Sequence, residues 1–258
     1  MLRLTARNPA KDAANRIHDD SVAREHGFSG GLVPGVTTYG YMLRPAIDAY
    51  GIAWLERGAA SVRLIAPVYE GEKLVIRERI ESDGKRKLSV EDDSGALRAA
   101  GSAWLSAQAP PPADGAALEH FPRCPLPSQQ LEPTKRALEG VDVLGALEFR
   151  FDADAKPPLE IDDDTPTYRA ERVAHPVLLL GAANYALAAN VALGPWIHTA
   201  SEVTNHAAVR HGDFVSVRPR IVRLFEKKGR ELVELDVLYV VDERKIALRV
   251  RHTAIYRL

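Results

Sequence analysis

The stretch NRIHDDSVAREHGFSGGLVPG, residues 15–35, decides how the rest of the chain is read. It sets His18 in a polar turn, follows it with a short amphipathic segment, bends through Gly27, Gly30 and Gly31, and ends at Pro34-Gly35. Downstream, Val36, Tyr39, Met42/Leu43, Ala46/Ile47 and Tyr50 recur at three-and-four spacing, which predicts a helix over 36–50 with one broad apolar face. Pro45 lacks a backbone donor, so a kink or an early end is expected there, and Gly51 supplies a stop. Within the stretch, Asp20 is expected to cap the segment Ser21 to His26.

From Ala60 the period changes to two. Val62, Leu64, Ala66 and Val68 alternate with Arg63, Ile65, Pro67 and Tyr69, predicting a strand with one buried face. Leu74 to Ile80, Lys87 to Val90 and Leu97 to Leu105 then read as an antiparallel meander, turned at Asp83-Gly84 and Ser94-Gly95. Residues 107–130 are rich in proline and read as an extended linker, dividing the chain into 1–106 and 131–258. The two parts repeat one another. Pro176 answers Pro34, and Trp196 answers Trp54, 142 positions on, while Val203/Val62, Val209/Val68 and Gly212/Gly71 are 141 apart. A second meander follows over Phe214 to Leu224, Glu231 to Val241 and Ile246 to Tyr256, with turns at Lys228-Gly229 and Asp242-Glu243. The helix from Val177 to Leu193 is apolar on nearly every face and must be surrounded. A curled antiparallel sheet can do this, so the expectation is α+β with one helix and one meander per half. A pair of ordinary sheet-plus-helix domains is the alternative.

Asn15, Ile17, His18 and Asp20, continued by Gly27, Phe28, Gly30 and Val33 to Gly35, resemble the MaoC-like, R-specific enoyl-CoA hydratase branch of the hotdog-fold superfamily. Its pattern is Asp-x-Asn-Pro-aliphatic-His-x-Asp, then a glycine-rich turn into the central helix. Two positions depart: Arg16 replaces the proline, and Ala13 stands where the family keeps its catalytic aspartate. The resemblance is strongest over residues 13–80. It implies a tandem (double) hotdog, each half a long central helix wrapped by a curled antiparallel sheet.

The resemblance further implies an acyl thioester as ligand, carried by CoA or an acyl carrier protein, with no other cofactor and no metal. The implied activity is (R)-specific enoyl-CoA hydration or dehydration, with non-catalytic acyl-CoA binding and thioester hydrolysis as alternatives. Hydration needs a base for water, an acid for the α-carbon and a donor to the thioester oxygen as it becomes enolate-like. Carried over, His18 takes the histidine's role and the Gly35 N–H that of oxyanion donor, because the first N–H groups of a helix lack intrahelical partners. Asp12 is the adjacent carboxylate that a one-residue bulge would bring to the missing aspartate's role. Asn15, Gly31, Pro34 and Tyr39 are implied substrate neighbours. In the second half Asp163, Pro166 and Tyr168 lie on the aspartate, proline and histidine positions, a degenerate second motif. A composite His18–Asp163 site is a further arrangement.

Composition excludes other classes. Thirty-four basic against 35 acidic residues, a net charge of −1, advertise no phosphate-tracking surface, so nucleic acid is not an expected partner. Cys124 is the only cysteine, which rules out an intrachain disulfide and a cysteine-based zinc site. The opening MLRLTARNPAKDAAN has no apolar signal-peptide core, and the longest apolar run is interrupted by Asn184 and Asn190, so a cytoplasmic protein without membrane association is expected. His175, His198, His206 and His211 match no metal motif and read as surface or hydrogen-bonding residues. No Gly-x-Ser-x-Gly elbow exists, against an α/β-hydrolase. Tyr39, Tyr41, Met42 and Ile47 are either core or the lining of an acyl tunnel. A homo-oligomer of pseudo-dimers is left open.

Overall fold

The period-two segments pair into one ten-stranded antiparallel sheet in the computed structural model, which describes residues 1–106, 115–157, 160–161 and 163–258. The first half runs β1 (Leu2–Thr5), a 3-10 turn (Arg16–His18), α1 (Asp20–Glu25), α2 (Gly35–Tyr50), α3 (Ile52–Arg57), β2 (Gly58–Leu64), β3 (Lys73–Ile80), β4 (Arg86–Asp92) and β5 (Leu97–Leu105). The second runs α4 (Gly115–His120), α5 (Lys135–Leu138), β6 (Leu147–Arg150), α6 (Pro166–Ala170), α7 (Pro176–Asn190), β7 (Ile197–Asn205), β8 (Phe214–Lys227), β9 (Arg230–Val241) and β10 (Lys245–Arg257). The sheet order is β1-β3-β4-β5-β2-β7-β10-β9-β8-β6. Read inward from either end, the two halves have the same topology, and they meet where β2 pairs antiparallel with β7, Val62 opposite Ser201.

One core lies between the sheet and the two long helices. Alternation puts Val62, Leu74, Ile76, Leu88, Val90, Ala99 and Ala103 inside in the first half, against Val36, Tyr39, Met42, Leu43, Ala46 and Ile47 of α2. In the second half Val215, Val217, Val233, Leu235 and Val250 meet Val177, Leu180, Ala183, Ala186 and Leu187 of α7. Among the described residues, no helix is long and apolar enough to cross a membrane.

Four expectations need correction. The first strand of the meander is shifted toward the N-terminus, Gly58–Leu64, because Ala59 and Ala60 already pair with Trp104 and Ala103 of β5. The helix neither ends nor stops short at Pro45; α2 continues to Tyr50, since buried Ala46 and Ile47 hold the last turn in the core despite one missing N–H. Part of the proline-rich segment is helical: α4 leads into Phe121, which is buried against Leu238 and Val240, while 107–114 lie outside the described residues. The repeat is also offset by 141 at the helix entrances, not 142. Val33 N–H donates to Val68 O as Ala174 N–H donates to Val209 O, and the bridge Leu32↔Tyr69 matches Val173↔Arg210. His175 therefore stands where Pro34 does, and Pro176 where Gly35 does.

Candidate active site

His18 is held from every side by local backbone chemistry. Asn15 caps the 3-10 turn, and Ile17 packs with Ala23 and Leu32 while its carbonyl accepts from Leu32 N–H. His18 O accepts from Asn8 Nδ2 at 2.9 Å. The chain returns so closely past this carbonyl that a Cβ at Gly31 would stand 2.1 Å from His18 O, which is why glycine occupies the bend. Asp19, not Asp20, caps α1, accepting from Ser21 and Val22 N–H; Asp20 instead accepts from Gly31 N–H at 2.7 Å and pins the returning bend.

The imidazole is set up as a neutral base. Nδ1–H donates to Leu32 O at 2.7 Å, so the lone pair is on Nε2, which has no hydrogen-bond partner among the described residues. Burial pushes the His18 pKa below its ordinary value, against the opposing Leu32 bond. His18 opens onto a cavity of about 230 Å³ that also meets Gly35, Thr38, Leu64, Asn184, Trp196 and His198. Among the described residues, no Asp, Glu, Lys or Arg lines it.

Both halves build this cavity. Asn15 exchanges two bonds with the Trp196 backbone, accepting from its N–H at 3.2 Å and donating to its carbonyl at 3.0 Å. From α7 comes Asn184, whose Oδ1 is buried without a partner, and from β7 comes His198. Gly35 is the first residue of α2, after Pro34. A Cβ there would stand 2.2 Å from Leu64 Cδ1 and 2.9 Å from His198 Nδ1, so a side chain at this position would push Leu64 and His198 aside.

The expected residues divide. His18, Asn15, Pro34 and Gly35 come together around the cavity, with Gly31 packed directly behind His18. Asp12 is exposed, as is Ala13, and neither lines the cavity. Tyr39 is buried elsewhere, beside Trp54 and Leu55, and the tunnel reading of Tyr39, Tyr41, Met42 and Ile47 gives way to core packing because none of them lines the His18 cavity. Asn184 and His198 were not singled out for the site. The one signal for Asn184 was a polar residue interrupting an apolar run, shared with Asn190.

The second half does not repeat the site. Val173 N–H donates to Tyr168 O as Leu32 N–H donates to Ile17 O, so Tyr168 stands where Ile17 does and not where His18 does. Pro176, in the place of Gly35, has no N–H to offer. The matching space, bounded by Ala174, Pro176, Leu179 and Val209, has closed to about 10 Å³ around Tyr39 and Trp54, too small for a ligand. Asp163 is fully engaged, accepting from Arg44 Nη1, Thr165 N–H and Oγ1, and His175 Nε2, each within 2.9 Å. Burial alone would raise its carboxyl, but the His175 and Thr165 bonds outweigh it and hold it at about 2. His175 Nδ1 accepts from Val177 N–H, capping α7, so neither ring nitrogen is free for proton transfer. Asp163 does not line the His18 cavity, and the composite pair does not form. An open groove of about 1250 Å³ along α7, lined by Leu147, Phe149, Leu178, Ala182 and Tyr185, borders this paired cluster. On the surface, Asp152, Asp154 and His211 bring ligand-type atoms within 4.8 Å of one another, with Asp154 paired to Arg172 and Asp152 to His211.

No family model and no curated protein matches the chain. Solved structures do. A conserved Mycobacterium tuberculosis protein with a double hotdog fold superposes with a TM-score of 0.62 at 16% identity, covering 93% of this chain and 87% of that one. The chain is a double hotdog. A Chloroflexus aurantiacus protein proposed to be a MaoC domain dehydratase shares this double hotdog with a TM-score of 0.63 and 10% identity, covering 100% and 94%. A Thermobifida fusca protein proposed to be a thioesterase II is similar at 0.54 and 12% identity, covering 88% of each chain.

Proposed function

We propose that this double hotdog binds acyl thioesters in the His18 cavity and adds water across trans-2-enoyl thioesters, with the (R) specificity of MaoC-like enzymes. The observation that carries the proposal is a neutral histidine with a free Nε2 beside the N–H-bearing start of α2, in a cavity that no charged side chain among the described residues lines. Water held between His18 Nε2 and Asn184 Oδ1 gives its proton to His18 as its oxygen attacks the β-carbon. The alkene electron pair moves toward the thioester oxygen, which the Gly35 N–H stabilises. His18 then returns that proton to the α-carbon, so one water is added and the imidazole ends neutral. Asn184 thus takes the water-orienting part of the carboxylate that Ala13 lacks. The carrier is CoA or an acyl carrier protein, and each half-sheet curls about its own long helix, α2 or α7.

Thioester hydrolysis is the second reading, favoured by the likeness to a thioesterase-type chain and by the same water-activating histidine. Binding without turnover is the third. Purified protein with short and medium trans-2-enoyl-CoA separates them. The hydratase reading expects loss of enoyl absorbance without release of free thiol. Thiol release would favour hydrolysis, and binding with neither change would leave a thioester-binding protein.

A further inference from the structure

His198 of β7 and His252 of β10 are stacked and buried, their ring centroids 4.4 Å apart. Ser201 Oγ bridges them, 2.8 Å from His198 Nε2 and 2.9 Å from His252 Nδ1. This leaves His198 Nδ1 and His252 Nε2 buried without partners. Such atoms cost stability and call for a reason. Only one of the two rings reaches the His18 cavity: His198 lines it and His252 does not.

The serine hydroxyl has one proton and two lone pairs, and the two rings are the only hydrogen-bond partners of Ser201 Oγ among the described residues. Its proton therefore goes to one ring, and the chain of bonds runs in one of two directions. If it runs from His252 Nδ1–H through Ser201 to His198 Nε2, the orphan N–H is His198 Nδ1–H, beside Gly35 on the ring that lines the cavity. If it runs the other way, the orphan N–H is His252 Nε2–H, on the ring that does not line it. Buried N–H groups without acceptors are rarer than under-used acceptors. The first direction gives the orphan donor a place where a ligand satisfies it. Burial holds His198 neutral, its pKa lowered to about 4 against the opposing pull of the nearby Ala200 backbone, which makes no hydrogen bond with Nδ1.

We infer that His198 is a second hydrogen-bond donor of the site, presenting Nδ1–H beside Gly35 to the thioester oxygen that the Gly35 N–H also receives. The inference rests on the acyl-thioester reading above. It is supported by the closeness of Nδ1 to Gly35, where a Cβ would come within 2.9 Å of it. Two donors from different halves then stabilise the oxygen as it becomes enolate-like, and the fused pseudo-dimer supplies both.

The test uses the full chain with crotonyl-CoA as substrate and butyryl-CoA as the inert probe. His198→Leu removes the donor, and His198→Asn keeps an N–H at similar reach. The expected result is a kcat lower by about 10²–10³ for His198→Leu with KM little changed, and recovery to within about tenfold of wild type for His198→Asn. Nitrogen-15 NMR of the wild type is expected to show His198 neutral with Nδ1 protonated, and that signal moving when butyryl-CoA is added. A folded His198→Leu protein within about threefold of wild-type kcat, or a wild-type Nδ1 that carries no proton, overturns the assignment while leaving the hydratase reading intact. If His198→Leu fails to fold, the wild-type NMR result and His198→Asn decide. A wild type that neither turns over crotonyl-CoA nor binds butyryl-CoA fails the thioester reading, and the donor role falls with it.

Discussion

Gly35 meets two demands at once: it starts α2 at the cavity wall with an N–H that has no intrahelical partner, and it leaves room for Leu64 and His198. Gly35→Ala is therefore expected to lower stability by about 1–3 kcal/mol through overpacking, read by urea unfolding, and to cut turnover more than tenfold as His198 is displaced. His18 answers to pH. Its folded pKa lies below 6.5, so it is neutral and base-competent above that range and loses its lone pair only in acid. A plot of kcat/KM is expected to be flat from pH 7 to 8 and to fall with a midpoint below 6.5; a midpoint above 7 would mean that His18 is not the titrating base. His18 was legible because the residues flanking it in sequence also surround it. His198 was not, since two of its partners, Gly35 and His252, are far away in the chain. The exchange of Asp19 for Asp20 as the cap of α1 shows the same limit at one-residue scale: two adjacent aspartates look alike until the returning Gly31 engages one of them.

The elements were more readable than their joints. Meander turns at Asp83-Gly84, Ser94-Gly95 and Lys228-Gly229 fall where local chemistry demands them, Lys228 and Gly229 both having positive φ, at 52° and 70°. Helix ends depended on packing instead. Pro45 signals a break, yet α2 runs on to Tyr50, with Ala46 and Ile47 buried directly after the proline. The start of α7 is set by a cap that no local pattern announces: His175 accepts from Val177 N–H and donates to Asp163, which Arg44 of α2 also holds. His175→Ala is expected to cost about 1–2 kcal/mol of stability, as for the loss of a helix cap, measured by urea unfolding. Because the His175 pair lies outside the His18 cavity, hydration is expected to stay within about twofold of wild type.

At the scale of the molecule, two copies of one topology share a sheet, and the cavity sits where they join. The duplicate site, bordered by Tyr39 and Trp54, has closed to about 10 Å³, and its helix begins with Pro176 in place of a glycine N–H donor. One CoA thioester per chain is the expected stoichiometry, to be read by calorimetric titration with butyryl-CoA; two equivalent sites would contradict the closed copy. The repeat was visible in matching tryptophans and glycines, but its register at the helices was off by one until backbone bonds fixed it at 141. The most direct measurement of the central claim is hydration of trans-2-enoyl-CoA by wild type and His18→Ala, followed by enoyl absorbance, with thermal unfolding of both as a folding check. The account predicts wild-type turnover and a loss of about 10²–10⁴ in the variant at unchanged fold. A folded His18→Ala protein that hydrates as fast as wild type, or a wild type inert toward every chain length, would contradict it.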